Sequence, residues 1–359
     1  MAIQTQPETQ VVAQADRQAD PQVQGSPEGA PEVDFPQVTD PYRRELLAHC
    51  YRMTGSVHDA EDLVQETYLR AWRAYHGFEG RSSVRTWLYR IATNVCLTAL
   101  EGRDRRPLPA GLGAPSADAG APLEENGEIP WLEPVPDTML DSGTAADPLA
   151  VVTDRDTIRL AFVAALQHLP ARQRAVLILR DVLRWKAAEV AEALQTTTAS
   201  VNSALQRAHA TLEKAHLTED TVAEPTPDQK EMLDRYVQAF WEKDVEAIVA
   251  MLTRDAIWEM PPYTGWYQGN ENIGRLIDTQ CPGGVHDMRM LATRANGQPA
   301  YGLYMRGEDG TFTPFHLQVL TLGPDGVEHV GAFFEPSLFA LFGLPASLPA
   351  DYEPTSVTA

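Results

Sequence analysis

Apolar positions recur at helical spacing in the first part of the chain, up to about residue 106. Three amphipathic helices are predicted, because apolar residues repeat at intervals of three and four. Ser56 is a predicted N-cap of the second helix, and Gly55 ends the first. The inward positions are Leu46, Leu47, Cys50 and Met53; then Ala60, Leu63, Val64, Thr67, Tyr68, Ala71 and Trp72; then Val84, Trp87, Leu88, Ile91, Val95 and Ala99.

A second helical unit is predicted over residues 154–216. Two of its helices, roughly 186–194 and 198–212, are joined by only three residues, which is the spacing of a helix-turn-helix. The turn usually has a glycine where this chain has Gln195. A non-glycine residue with positive φ costs roughly 1 kcal/mol, so an adjusted turn is expected.

The pattern changes to alternating strands after residue 252, with Asn-Gly and Asp-Gly pairs at 296–297 and 325–326 that favour hairpins. The overall prediction is a multidomain protein: two all-α domains, the second with a helix-turn-helix, and an α+β domain. The boundaries are a disordered tail 1–38, a helical domain 39–106, an acidic Pro/Gly-rich linker 107–153, a helical domain 154–216, a linker 217–227, an α+β domain 228–347 and a tail 348–359. An apolar cluster in the first linker is expected to dock elsewhere: Ile129, Trp131, Leu132, Val135, Met139 and Leu140.

The charge is distributed unevenly along the chain. The formal net charge is -21, yet residues 40–106 carry 11 basic against 9 acidic side chains, and residues 157–216 carry 8 against 4. Because charges are screened beyond about 10 Å, these local faces decide whether phosphate is attracted. The N-terminus lacks the pattern of a signal peptide, and no apolar run is long enough to span a membrane. Three scattered cysteines indicate reduced thiols, a cytoplasmic location and no metal site.

Three polar surfaces are candidates for binding. The second helix has a carboxylate-rich face that is either solvated or a docking surface for a basic partner: Asp59, Glu61, Asp62, Gln65 and Glu66. The third helix and its preceding loop carry residues suited to phosphates and unstacked bases: Arg81, Ser82, Ser83, Arg85, Tyr89, Arg90 and Asn94. The helix-turn-helix offers base-reading and phosphate-binding side chains, unless it is an ordinary helical hairpin: Arg172, Arg174, Lys186, Thr198, Ser200, Asn202, Ser203, Gln206 and Arg207.

The order of these elements resembles the extracytoplasmic-function class of sigma-70 family factors. "DAEDLVQETYLRAW" is similar to the part that binds the clamp of RNA polymerase, and "FEGRSSVRTWLYRIATNVCLTAL" to the part that reads the −10 element. Residues 169–212 are similar to the domain that reads the −35 element. The resemblance implies that core RNA polymerase (clamp and flap) and promoter DNA are partners, and that the chain needs no cofactor and catalyses no reaction.

Residues 228–345 resemble the SnoaL-like cone-shaped barrels, a fold shared by polyketide cyclases and ketosteroid isomerases. Candidates to line a pocket are Tyr236, Trp258, Glu259, Trp266, His286 and His316. No acid/base pair is recognised, and a core role is favoured for His316. The resemblance implies a regulatory domain that contacts the sigma domains or the linker, with a small ligand as an open question.

Two alternative functions are compatible with the residues. One is a ligand-sensing helix-turn-helix regulator that acts without polymerase, and the other is a cyclase or isomerase fused to a DNA-binding region. The carboxylate-rich helix favours the sigma-factor interpretation, since neither alternative has a use for it.

Overall fold

The computed structural model describes residues 35–140, 157–213 and 225–352. From Phe35 onward the chain forms one compact unit. The predictions for residues 1–34, 141–156, 214–224 and 353–359 lie outside the described residues. These include most of the predicted N-terminal tail, the end of the acidic linker and most of the second linker.

The first helical domain is a bundle whose helices begin at serine caps. Ser56 accepts a hydrogen bond from the amide of Asp59, and Ser83 accepts one from Thr86, as N-caps do. The helices are α1 Phe35–Thr39, α2 Arg43–Thr54, α3 Val57–Ala74 and α4 Val84–Ala99. The predicted tail extended to residue 38, whereas α1 starts at Phe35, because that ring packs edge-on against Tyr68 and Tyr75.

One predicted core residue of α3 is not in the core. Ala60, Val64, Thr67 and Ala71 are buried as expected, but Trp72 is 63% exposed. Trp72 follows Ala71 directly, so it lies about 100° further round the helix than the buried stripe. The prediction for Trp72 was therefore wrong.

The acidic linker packs against both flanking domains. A short 3₁₀ turn, Pro109–Gly111, starts it, and α5 Asp137–Leu140 ends its described part. Leu132 and Val135 are fully buried in the core shared with the helical domains, as the prediction of a docking cluster required. The linker thus contributes to the fold instead of serving only as a spacer.

The second helical domain contains the expected helix-turn-helix. Its elements are α6 Leu160–Gln167, α7 Ala171–Leu177 with a π-helical continuation Ile178–Val182, α8 Ala187–Ala193 and α9 Thr198–Glu213. Gln195 adopts φ +51°, so the left-handed turn is kept although the residue is not glycine.

The C-terminal domain has a six-stranded sheet covered by helices, which is an α+β architecture as expected. Two helices precede the first strand, and the chain turns between them at Lys243 with φ +53°. The helices are α10 Pro227–Glu242, α11 Val245–Met251, α12 Asn270–Gln280 and α13 Ser337–Leu341. The strands are β1 Leu252–Glu259, β2 Trp266–Gln268, β3 Met288–Ala295, β4 Gln298–Arg306, β5 Phe312–Leu322 and β6 Val327–Phe333.

The strands lie in the order β2-β1-β6-β5-β4-β3. Only the β1–β6 pair within this sheet is parallel, and the other pairs are antiparallel. Asn296 and Gly297 join β3 to β4 with φ values of +56° and +73°, as a type I′ hairpin requires.

The two faces of the sheet enter different cores. Trp258, Leu303 and Val330 form the interior of the cone, together with side chains of the covering helices. Leu317 and Phe333 lie in the hydrophobic core of the two helical domains. Because one core continues through three domains, their arrangement is held by apolar burial as well as by polar contacts. In the three described stretches, no helix combines the length and the apolar character needed to cross a bilayer.

Candidate nucleic-acid interface

The carboxylate-bearing face of α3 is partly engaged within the protein. Asp59 pairs with Arg103 at 3.2 Å and Arg106 at 2.9 Å, so it fastens the end of α4 to the start of α3. Glu66 pairs with Arg70 one helical turn later at 2.6 Å. Glu61 is half-buried.

The rest of that face is exposed and includes large apolar side chains. Asp62 and Gln65 are exposed, and Leu69 and Trp72 follow them along the helix with 51% and 63% exposure. Positions 62, 65, 69 and 72 lie on one side of a helix with 3.6 residues per turn. We call this the α3 stripe. It combines acidic, polar and apolar groups, which is the composition of a protein-binding surface.

Three of the predicted nucleic-acid contacts lie in the loop before α4. Arg81, Ser82 and Ser83 are exposed. Arg81 lies 3.2 Å from Glu79, an exposed pair that costs little to break. Ser83 is committed to capping α4.

Two residues of the predicted α4 stripe are engaged by Glu45 of α2. Tyr89 is 1% exposed, its hydroxyl donates to Glu45 at 3.1 Å, and burial raises its pKa well above the ordinary value. Arg85 pairs with the same carboxylate at 2.7 Å and lies over the Tyr89 ring. Tyr89 also meets Trp185 of the second helical domain edge-on. In this arrangement Tyr89 is therefore not available to stack on a base, contrary to the prediction.

The remaining members of the α4 stripe contact the helix-turn-helix. Arg90 pairs with Glu192 at 3.0 Å. The side-chain amide of Asn94 donates to the carbonyl oxygen of Ala193 at 3.5 Å. Both partners lie at the end of α8, so the first helix of the helix-turn-helix lies against the predicted −10 face.

The predicted major-groove face of α9 is open. Val201 and Ala208 are its buried positions, and the six predicted base-facing residues are all exposed: Thr198, Ser200, Asn202, Ser203, Gln206 and Arg207. Arg172 and Lys186 are exposed near it.

Arg174 was predicted to contact phosphate, but its side chain is only 4% exposed. It donates to the carbonyl oxygen of Met53, to the side chain of Gln167 at 2.7 Å and to the carbonyl of Leu169 at 3.1 Å. Burial lowers its pKa to about 10. The residue joins the second helical domain to α2, and this corrects the prediction.

The interior of the cone contains a hydrogen-bonded chain. Tyr236 donates to Gln318 at 2.9 Å, and the Gln318 amide lies 2.9 Å from His316 Nε2. Burial lowers the pKa of His316 to about 3, so the ring is neutral. Its Nδ1 and the indole nitrogen of Trp258 are buried without a partner in the described part of the chain.

Three predicted pocket residues lie outside this interior. Glu259 and Trp266 face each other across β1 and β2 on the side opposite Trp258, because successive residues of a strand alternate. The Glu259 carboxylate lies 2.6 Å from His329 Nε2 and accepts a hydrogen bond from the linker amide of Ala110. The indole nitrogen of Trp266 donates to the carbonyl of Gly113, also in the linker. His286 is exposed and stacks on Trp241. Strand alternation corrects the pocket prediction for Glu259 and Trp266, and surface exposure corrects it for His286.

Comparisons with known proteins agree with this architecture. The family model for Sigma-70 region 2 matches residues 39–106, and that for Sigma-70, region 4 matches residues 159–212. The ECF RNA polymerase sigma factor SigG of Mycobacterium tuberculosis is 58% identical over 318 residues, which cover 88% of this chain and 85% of SigG. The chain belongs to the ECF family of RNA polymerase sigma factors. The resemblance seen in the sequence is confirmed.

A second relative extends the comparison to three dimensions. The ECF RNA polymerase sigma factor SigJ of Mycobacterium tuberculosis is 28% identical over 283 residues, covering 75% of this chain and 81% of SigJ. The crystal structure of SigJ matches with a TM-score of 0.55 at 24% identity, over 85% of this chain and 97% of SigJ. The fold of this sigma factor is therefore shared along nearly its whole described length.

Two residues that the sequence did not single out connect the domains of this sigma factor. Asn296, fully buried at the β3–β4 turn, donates to Tyr51 at 2.9 Å and to the carbonyl of Ile158 at 2.7 Å. It also accepts from the amide of Val135 at 2.9 Å. One side chain thus bonds α2, the linker and the start of the second helical domain. Its only sequence signal was the Asn-Gly pair, which indicated a hairpin and no more.

The other residue is Glu133 of the linker. Its carboxylate accepts from the Ser56 hydroxyl at 2.9 Å and from the amide of Val57 at 3.1 Å. It therefore caps α3 from outside the helix, where a negative charge is favoured. No local pattern marked it, because its partners are more than seventy residues away.

Proposed function

We propose that this chain recruits core RNA polymerase to specific promoters in the cytoplasm, and that its C-terminal domain restrains it in a closed, inactive arrangement. The main support for the restraint is that Arg90 and Asn94 of the predicted −10 face contact α8 of the predicted −35 domain. A surface covered by the chain's own helix-turn-helix is not free to hold promoter DNA. The proposal assigns the chain no catalytic step.

The α3 stripe is the proposed polymerase-binding surface. Asp62 and Gln65 offer polar contacts, and Leu69 and Trp72 offer apolar area that no described part of the chain covers. Interfaces commonly centre on a few large side chains, with charges around them that set orientation. Asp59 is not assigned to this surface, because it holds Arg103 and Arg106.

The closed arrangement depends on the C-terminal domain. The direct salt bridge between Arg90 and Glu192 is exposed and contributes little by itself. The fully buried bonds of Asn296, and the apolar face around Leu317 and Phe333, bring far more free energy to the same arrangement. Promoter DNA can therefore reach Arg90 and Asn94 only when the contacts of the β3–β4 hairpin are broken.

Promoter-dependent run-off transcription with reconstituted core polymerase tests both parts. Charge reversal in Asp62→Lys, or removal of the ring in Trp72→Ala, should abolish polymerase pull-down and transcription. Gln238→Lys, at an exposed position on α10, is a control that should leave both unchanged. Retention of polymerase binding by folded Asp62→Lys and Trp72→Ala variants would disprove the docking surface.

Asn296→Gly tests the restraint. It should increase transcription at limiting polymerase, because the closed arrangement loses buried hydrogen bonds while the α3 stripe stays intact. A folded variant whose transcription is unchanged or lower would mean that the C-terminal domain does not inhibit.

A further inference from the structure

A cleft of about 690 Å³ lies where the first helical domain, the linker and the second helical domain meet. Its walls include Arg103 and Arg105 after α4, Pro130 of the linker, and His168 and Arg174 of the second domain. Small-molecule sites typically enclose roughly 300–1,000 Å³. The cleft therefore has the size of a site for a small organic molecule.

One wall of the cleft carries a buried cation without a counter-charge. Every hydrogen-bond acceptor of Arg174 within the described residues is a neutral oxygen, on Met53, Gln167 or Leu169. Its Nε is buried with no partner there. Burying an uncompensated charge is costly, so an anion beside this guanidinium would be strongly favoured.

A second guanidinium of the cleft, that of Arg105, is exposed and pairs with no carboxylate in the described part of the chain. Arg105 contacts His168 Nδ1 at 2.8 Å and donates to the carbonyl of Gly111 at 3.1 Å. Burial and, next, the charge of Arg105 lower the pKa of His168, so its ring is a neutral acceptor. By contrast, the neighbouring Arg103 and Arg106 both pair with Asp59, and Arg106 also lies 3.5 Å from Glu133.

The other polar groups of the cleft limit where an anion can bind. Asp104 and Glu128 line its exposed part and would repel negative charge. Leu100, Pro130 and Leu169 provide apolar wall. An anionic group is thus favoured between Arg105 and Arg174, with an uncharged organic part along the apolar wall.

We propose that this cleft binds a small phosphorylated metabolite of nucleotide size, with its phosphate between Arg105 and Arg174. Arg105 is exposed and can donate charge-assisted hydrogen bonds to a phosphate oxygen. Arg174, whose Nη groups already donate to protein oxygens, contributes its positive charge. Because the walls belong to both helical domains and the linker, the bound molecule stabilises their closed arrangement. That consequence rests on the proposed function, whereas binding itself does not.

Isothermal titration of the full chain with ATP and with inorganic pyrophosphate tests the binding. Saturable binding is expected, and Arg105→Gln should weaken it roughly tenfold or more, as loss of a charged hydrogen bond does. His168→Glu should weaken it as well, by adding negative charge. Arg235→Gln, an exposed arginine on α10 away from the cleft, is the matched control and should bind like the wild type. Circular dichroism checks that each variant is folded.

Three results would overturn the proposal. One is the lack of saturable heat with either probe, and another is equal weakening by Arg235→Gln, which would indicate non-specific charge attraction. The third is competition by a short DNA duplex for the same Arg105-dependent site, which would assign the phosphate contact to promoter DNA. All of these assays omit polymerase, so a failure of the sigma-factor proposal would be seen separately, in run-off transcription.

Discussion

Asn296→Gly is the most informative single change, because it removes one side chain that bonds three parts of the chain. The substitution deletes three hydrogen bonds, to Val135, Tyr51 and Ile158. The Val135 amide and the Ile158 carbonyl are then left buried without those partners. The Tyr51 hydroxyl keeps its hydrogen bond to the carbonyl of Glu133, so it does not become a buried group without a partner.

The expected loss follows from those two groups. A stranded buried polar group costs about 1–3 kcal/mol, so the closed arrangement should lose about 2–6 kcal/mol. Glycine tolerates the φ of +56° at this turn, so no backbone strain is added. Asn296→Ala should destabilise the closed arrangement by roughly 1–2 kcal/mol more than Asn296→Gly does, because alanine is disfavoured in the left-handed region. The difference between the two variants separates side-chain bonding from backbone strain.

Hydrogen–deuterium exchange of the linker amides near Val135 is the direct assay. A loss of 2 kcal/mol or more should speed exchange there by about thirtyfold or more, if exchange occurs through opening of the closed arrangement. Asp325→Gly is the matched control, since it changes the exposed first residue of the Asp-Gly pair in the same sheet. Exchange in Asn296→Gly that stays within about twofold of the wild type would refute the reasoning.

Three further changes test local features of the fold. Gln195→Gly should raise the free energy of unfolding by about 0.5–1 kcal/mol, because it relieves φ +51° at some cost in chain entropy; thermal unfolding measures it. Gly55→Ala should lower the free energy of unfolding by about 2–3 kcal/mol, as measured by urea denaturation. The added Cβ would lie 2.7 Å from the Leu132 side chain, and the residue has φ +70°. Burial lowers the pKa of His49 and His316 to about 3, so stability should fall as pH drops below about 6.5, by roughly 2 kcal/mol per histidine between pH 7 and 5.

Each of these has a control and an opposing result. Thr196→Gly, next to Gln195 but with no positive φ, should not stabilise; a stabilisation of similar size would remove the strain argument. Gly113→Ala meets no neighbour and should be nearly neutral, so an equal loss there would discount the Gly55 clash. As the pH falls, both histidines become protonated in the unfolded chain at a higher pH than in the folded protein. Acid therefore favours the unfolded state. His316→Asn should therefore reduce the acid sensitivity, and an unchanged pH slope would contradict its buried neutral state.

Local features of the protein could be predicted from the sequence. Periodic apolar positions, the cap Ser56 and the short turn at Gln195 are decided by neighbouring residues, and the structure shows each of them. The same holds for the Asn-Gly hairpin. The apolar composition of the linker cluster indicated that it docks, but not against which residues. The order of these local features was enough to indicate the family.

Only the tertiary structure decided which polar residues remain available. Tyr89 and Arg174 are residue types that bind nucleic acid, but contacts within their own domain and with a second domain bury them. Glu259 follows a pocket residue directly in sequence yet faces the linker, because strand alternation turns it away. Asn296 bonds Tyr51 across 245 residues. Burial and pairing of this kind depend on chain segments far apart, so no window of sequence contains both partners.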